Sequence, residues 1–180
     1  MTKLYDSFLT QLADVYDAEK QLIKALLKLA KAAHNQELKT AFMSNRSETE
    51  EHARQLEKVF EILNEKAPGH KCKGMEGLIA ECEDCIQGDF GDALLICAAQ
   101  KIEHYEIAIY GCLRSWAQLL DQDEATNLLE EILDEESDAD EYLTSIAMRM
   151  VNPADGETGE NGAEEWETEH AARGDGSEDR

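Results

Sequence analysis

Along four long stretches of this chain, apolar side chains return every three, four or seven positions. Only two prolines, Pro68 and Pro153, interrupt its 180 residues. A recurrence of that period places the apolar groups on one stripe of an α-helix with 3.6 residues per turn. In residues 4–33 the stripe is Leu4, Phe8, Leu12, Val15, Leu22, Leu26 and Leu29. His34-Asn35 breaks it, and Asn35 is the expected N-cap of the next helix, because its amide oxygen can accept from the first free N–H groups. That helix runs from about residue 37 to 66, with Leu38, Phe42, Leu56, Val59 and Leu63 apolar, until Pro68-Gly69.

Residues 67–89 form the longest break, with a short helix expected over 74–86. A third long helix is expected over 92–119. Asp121-Gln122-Asp123-Glu124 then reads as a capping box that starts a fourth helix ending near Met150. From Ala154 the composition turns to Gly, Glu, Asp and Thr, so residues 154–180 are expected to be a disordered acidic tail. Trp166 and His170 lie in it. The expected fold is therefore all-α, one domain over residues 1–153. Two helical hairpins joined by one crossover give a four-helix bundle of ferritin-like topology.

Forty acidic residues against 17 basic ones give a net charge of -23. Such a chain repels nucleic acid and anionic membranes, whose binding depends on Lys and Arg neutralising phosphate. No apolar run approaches about 18 residues, so no membrane span is expected. The first residues lack the apolar core of a secretory signal, so the cytoplasm is the expected compartment. Five cysteines, an odd number, argue against a closed disulfide framework. Cys82-x-x-Cys85, with Cys72 and His70 upstream, leaves buried thiols, a redox dithiol and a structural zinc site as open readings; Cys97 and Cys112 read as core.

Acids also fall where packed helices should be apolar. Glu19 shares the stripe of Leu12 and Ile23. It stands about as far before the first turn as Glu48 stands after it, and equidistant residues of an antiparallel hairpin lie at one height. With the second turn centred near Leu120, Glu106 pairs with Glu135, and Glu103 with Asp138 one turn further out. The second helix adds Glu51 at i+3 from Glu48, and His52 at i+4. Buried carboxylates need cations or protons to neutralise them. An oxygen-rich set with one or two histidines suits two metal ions, iron first and manganese second. Tyr16, one turn from Glu19, is placed to hydrogen-bond a ligand or relay an electron.

Several runs carry a resemblance: Leu9 to Leu22, Met75 to Ile79, Ala98 to Gly111 (with Glu103-His104-Tyr105-Glu106 its most specific part) and Leu128 to Asp140. They resemble the YciE/YciF family, ferritin-like stress-associated proteins of bacteria and archaea. The resemblance covers about residues 4–150. It implies a rubrerythrin-like bundle, usually a homodimer, with a dinuclear metal centre whose ligands fall on Glu19, Glu48, Glu103, Glu106, Glu135 and Asp138. The ferritin-type Glu-x-x-His is altered at both places: Glu48-x-x-Glu51 is followed by His52, and Glu135-x-x-Asp138 has no histidine.

Two functional readings follow. One is a redox metalloprotein that reduces peroxide or dioxygen, or oxidises ferrous iron. The other is a non-enzymatic dimeric helical stress protein whose carboxylates are structural or vestigial.

Overall fold

The structure is a computed structural model that describes residues 2–67, 69–88 and 90–154. Beyond Ala154, the expected disordered tail, with Trp166 and His170, lies outside the described residues. The helices are α1 (Lys3–Ala32), α2 (Gln36–Ile62), α3 (Lys73–Gly88), α4 (Asp92–Leu119) and α5 (Asp123–Ile146), and a π-helical turn over Ala147–Val151 continues α5. No described helix is long and apolar enough to cross a membrane.

Local chemistry sets the ends. Thr2 caps α1 by accepting from the N–H of Tyr5 at 3.2 Å. Asn35 caps α2 as expected, its Oδ1 accepting from Glu37 N at 2.8 Å and Leu38 N at 3.1 Å. Helix α2 stops several residues before Pro68, where Asn64 takes a left-handed φ of 55°. Such a conformation costs asparagine less than most residues because its side chain can hydrogen-bond locally. The capping box expected after residue 120 does not form. Asp121 is left-handed (φ 54°), and Gln122, the actual N-cap, donates its side-chain amide to Leu120 O instead.

Helices α1 and α2 form one antiparallel hairpin and α4 and α5 the other; α3, on the crossover, packs on α1 and α4. The crossover is tied down beside Cys72, whose Sγ lies 3.1 Å from both Asp14 Oδ2 and the Tyr105 hydroxyl. Gly74 makes this possible, since a Cβ there would meet the Tyr105 ring at 3.0 Å. Cys97 and Cys112, expected in the core, are exposed. The inward stripe of α4 runs through Leu95, Ile102, Glu106, Tyr110 and Leu113, which turns both cysteines outward.

The apolar core is divided in two. One cluster takes the C-terminal half of α1 (Leu22, Leu26, Leu29) with the start of α2 (Leu38, Phe42), α3, the start of α4 and the end of α5. The other joins Phe8, Leu12 and Val15 to Leu56, Val59, Tyr110, Leu113, Leu129 and Ile132. Between them, at mid-height on every long helix, the buried side chains are polar.

The hairpins are pinned together at one end by Asp92, 5% exposed at the start of α4. Its carboxylate accepts from the N–H groups of His34 (2.8 Å) and Asn35 (2.5 Å) in the α1–α2 turn. A charged acceptor bonded to two backbone donors contributes more than a neutral one. Asp92→Ala should therefore lower stability by roughly 2 kcal/mol in urea unfolding. A loss within the scatter of ordinary surface substitutions, about 0.5 kcal/mol, would show that the turn is held by other contacts.

Candidate metal centre

The polar layer follows from hairpin geometry once the turns are located. The α1–α2 break is centred on residue 34 and the α4–α5 break on residue 121. Glu19 stands fifteen residues before the first centre and Thr49 fifteen after it; Glu106 stands fifteen before the second and Glu136 fifteen after it. These are the residues that meet. Each sits in a run of buried positions spaced three and four apart: Leu12-Val15-Glu19-Leu22 on α1, Phe42-Asn45-Thr49-His52-Leu56 on α2, Ile102-Glu106-Tyr110 on α4 and Leu129-Ile132-Glu136 on α5.

Four carboxylates are thereby buried among one another: Glu19 and Glu106 at 0% exposure, Glu103 at 1% and Glu136 at 3%, beside His52 at 2%. His52 faces the layer through Nδ1, 2.9 Å from Glu136 Oε1 and 4.0 Å from Glu19 Oε2. Its Nε2 is 2.7 Å from Glu135 Oε2 on the outer side. Asn45 donates to Glu103 at 2.8 Å and is itself steadied by Thr49, whose hydroxyl donates to its backbone and side-chain oxygens at 2.8 and 3.1 Å. Glu103 and Glu136 share a hydrogen bond. Tyr110, fully buried, donates to Glu19 Oε1.

The expected site residues divide cleanly. Glu19, His52, Glu103 and Glu106 are brought together in the interior. Glu48, Glu51, Glu135 and Asp138 are not inward-facing: Glu48 is half-buried and accepts from Ser44, Glu51 is paired with Arg54, and Glu135 and Asp138 are exposed. A turn centre misplaced by half a residue moves the equidistant partner by one residue, about 100° of helix, which puts Glu135 in the place of Glu136 and Glu48 in the place of Thr49. Tyr16 is also displaced from its expected role. Its hydroxyl donates to Glu57 at 2.6 Å on the outside of the bundle, and the tyrosine at the carboxylates is Tyr110. Thr49, Tyr110 and Glu136 were legible only as interruptions of the apolar stripes.

Burial dominates the electrostatics. It raises Glu19 from 4.5 to about 8, with Glu136 adding repulsion and His52 and the Tyr110 hydroxyl opposing it. Glu136 is raised to about 7 by burial, against the hydrogen bond from Glu103. Glu103 and Glu106 are pushed well above the carboxylate range by burial and by the charge of Glu136. Burial and the charge of Glu19 also hold Tyr110 protonated.

Among the described residues, two overlapping groups have the donors and spacing to hold ions. Glu19, His52 and Glu136 form one; Glu103, Glu106 and Glu136 form the other; within each, one ligand atom per residue lies within 4.8 Å of the rest. The cysteines belong to neither group, and Cys72 is engaged with Asp14 and Tyr105. Both oxygens of Glu106, Glu19 Oε2, Glu103 Oε2 and His52 Nδ1 have no aligned hydrogen-bond partner. Unpaired acceptors at this depth are costly, and a cation would satisfy them. The donor sets of both groups, which have Glu136 in common, therefore fit a metal ion. A cavity of about 280 Å³ between α2 and α5, lined by Phe42, Asn45, Glu48, Glu135, Asp138 and Ala139, opens beside the layer and offers a small molecule a way in.

A family model described as a domain of unknown function, DUF892, matches residues 3–154. The chain is 43% identical to protein YciF of Escherichia coli (strain K12) over 157 residues, 84% of this chain and 95% of that protein. The crystal structure of the E. coli stress protein YciF superposes with a TM-score of 0.80 over 82% of this chain and 96% of that one. A second structure, YcfI from Rhodopseudomonas palustris, is 35% identical with a TM-score of 0.76 over 81% of this chain and 96% of that one. A Xanthomonas campestris protein at 21% identity shares the fold, with a TM-score of 0.71 over 88% of this chain and 99% of that one.

Raised carboxyl values have a definite consequence for the metal-free protein. Its folded state holds protons that the unfolded chain releases above about 4.5. The stability these groups contribute is complete below that value and is lost as pH climbs through about 7 to 8. In the presence of chelator the melting temperature should fall between pH 6 and pH 9, and Glu136→Gln should flatten the slope. A melting temperature that is level over this range would mean that the layer is hydrated and titrates as free acid.

Proposed function

The chain belongs to the DUF892 family, and from that premise we propose that it is a YciF-like stress protein whose mid-bundle carboxylates bind two iron or manganese ions that react with a small oxidant. The observation that carries this reading is that one buried residue, Glu136, belongs to both ion-competent groups. A carboxylate has two oxygens, so a shared glutamate is the natural bridge of a two-ion centre, and bridging relieves the repulsion that burial imposes on its neighbours.

Two such ions, cycling between the divalent and trivalent states, would supply the two electrons that, with two protons, turn one hydrogen peroxide into two waters. The chain's own groups do the remaining work. Glu19, Glu103 and Glu106 hold the sides of the site, and His52 supplies its one imidazole. Tyr110 fixes Glu19 through its hydroxyl, and Asn45 fixes Glu103. The apolar clusters above and below exclude bulk water. The α2–α5 cavity admits a molecule of peroxide or dioxygen size beside Asn45.

A second reading has one observation in its favour. Ferritin-like centres take a Glu-x-x-His from each of two helices. Here the corresponding pairs are Thr49-x-x-His52 and Glu136-x-x-Ala139, each with one member gone. On this reading the protein is a non-enzymatic helical stress protein with a vestigial polar layer.

The two readings part at Glu136. Protein purified without added metal should contain close to two ions per chain and consume peroxide when reduced. Glu136→Ala should remove both ions and that activity, whereas Glu135→Ala should retain most of the metal, because Glu135 lies outside both groups. Wild-type protein that holds no metal would leave the non-enzymatic reading in place, and metal content untouched by Glu136→Ala would put the ions outside this layer.

A further inference from the structure

We propose that the two ion positions are chemically unlike and take different metals, iron at the position that carries His52 and manganese at the one made only of carboxylates. The inference rests on the two-ion reading above and concerns what distinguishes its halves.

Glu136 is common to both groups, so the difference lies in the other members. These are Glu19 with His52 on one side and Glu103 with Glu106 on the other. Imidazole nitrogen suits iron, whereas carboxylate oxygen suits manganese and other hard ions. An ion later in the Irving–Williams order gains more from the nitrogen, so iron is favoured over manganese more strongly where His52 binds than where it does not. The asymmetry has a definite origin in the sequence. Position 139, three residues after Glu136, would carry the second imidazole of a two-histidine centre, and it is Ala139. Only one side of the layer retains nitrogen.

The surroundings reinforce the difference. His52 Nε2 is engaged by Glu135 Oε2 at 2.7 Å, which leaves Nδ1 to face Glu136 and Glu19. A carboxylate behind a ligating imidazole fixes its orientation and raises its basicity. Glu135 is therefore a positioning residue for the iron side. On the other side both oxygens of Glu106 lack a hydrogen-bond partner, which offers a hard ion two carboxyl oxygens besides Glu103 and Glu136. Glu19 and Glu103 each have one oxygen occupied, by the Tyr110 hydroxyl and the Asn45 amide, so it is Glu106 that sets the oxygen-only side apart.

The test supplies ferrous and manganous ions together, without oxygen, to metal-free full-length protein. Manganese is varied from equimolar to tenfold excess over iron, free metal is removed, and each element is counted. As manganese rises it should displace iron from the carboxylate position first, so that the content settles at one iron and one manganese per chain over part of the series. His52→Gln should remove that plateau, with both positions exchanging iron for manganese together. Glu135→Gln, which keeps a polar group at a half-exposed position, should weaken iron retention by about 10- to 100-fold and leave manganese unchanged. Wild-type content that tracks the supply, or two ions of one element throughout, overturns the mixed-metal inference while the two-ion reading stands. Protein that takes up neither ion overturns both. The wild-type series decides the matter even if the His52 variant does not fold.

Discussion

Four carboxyl groups and an imidazole, packed among one another between two apolar clusters, set the terms for everything else in this bundle. Removing a carboxylate from water is expensive, and here each of the four raises the cost for the next. Burial pushes Glu19 and Glu136 up to about 8 and 7, and Glu103 and Glu106 further from their ordinary range. Protons can settle part of this, as the Glu103–Glu136 hydrogen bond does. They leave both oxygens of Glu106 without partners. A bound cation would neutralise those oxygens, which is why the layer reads as a candidate binding site rather than as a defect in the core.

The rest of the fold holds that layer at one height. Straight helices rising about 1.5 Å per residue keep equidistant residues level only if the turns do not slip. Asn35 caps the first turn and Asp92 grips it from the other hairpin. Left-handed Asp121 makes the second turn tight. The apolar clusters at either end clamp the helices so that the polar middle does not need to hold itself together.

Much of this was legible in the sequence because helical periodicity survives without tertiary context. The hairpins, the crossover helix, the Asn35 cap and the presence of acids at matched depth can all be read from apolar spacing. Glu19, Glu103 and Glu106 lie buried at the depth that this spacing gives. The error at Glu135 and Asp138 came from the turn. Asp121 reads as part of a capping box, which sets the hairpin centre half a residue early and the equidistant partner one residue early, and one residue on a helix is the difference between core and solvent. The stripe Leu129-Ile132-Glu136 would have corrected it, since it needs no turn position. Tyr110 and Thr49 were hidden differently, because an aromatic and a small hydroxyl residue are ordinary in helix interiors. Their partners, Glu19 and Asn45, are defined only when the helices are packed. The exposure of Cys97 and Cys112 could also have been read from the α4 stripe, which passes them by.

The central claim is that cations lie inside the bundle and share Glu136. Crystals of the metal-loaded protein, measured on either side of the iron and manganese absorption edges, test it directly. The account predicts two anomalous peaks within the polar layer, one beside Glu19 and His52 and one beside Glu103 and Glu106, with Glu136 between them. Peaks confined to the surface acids, or an interior with no anomalous signal, would contradict it.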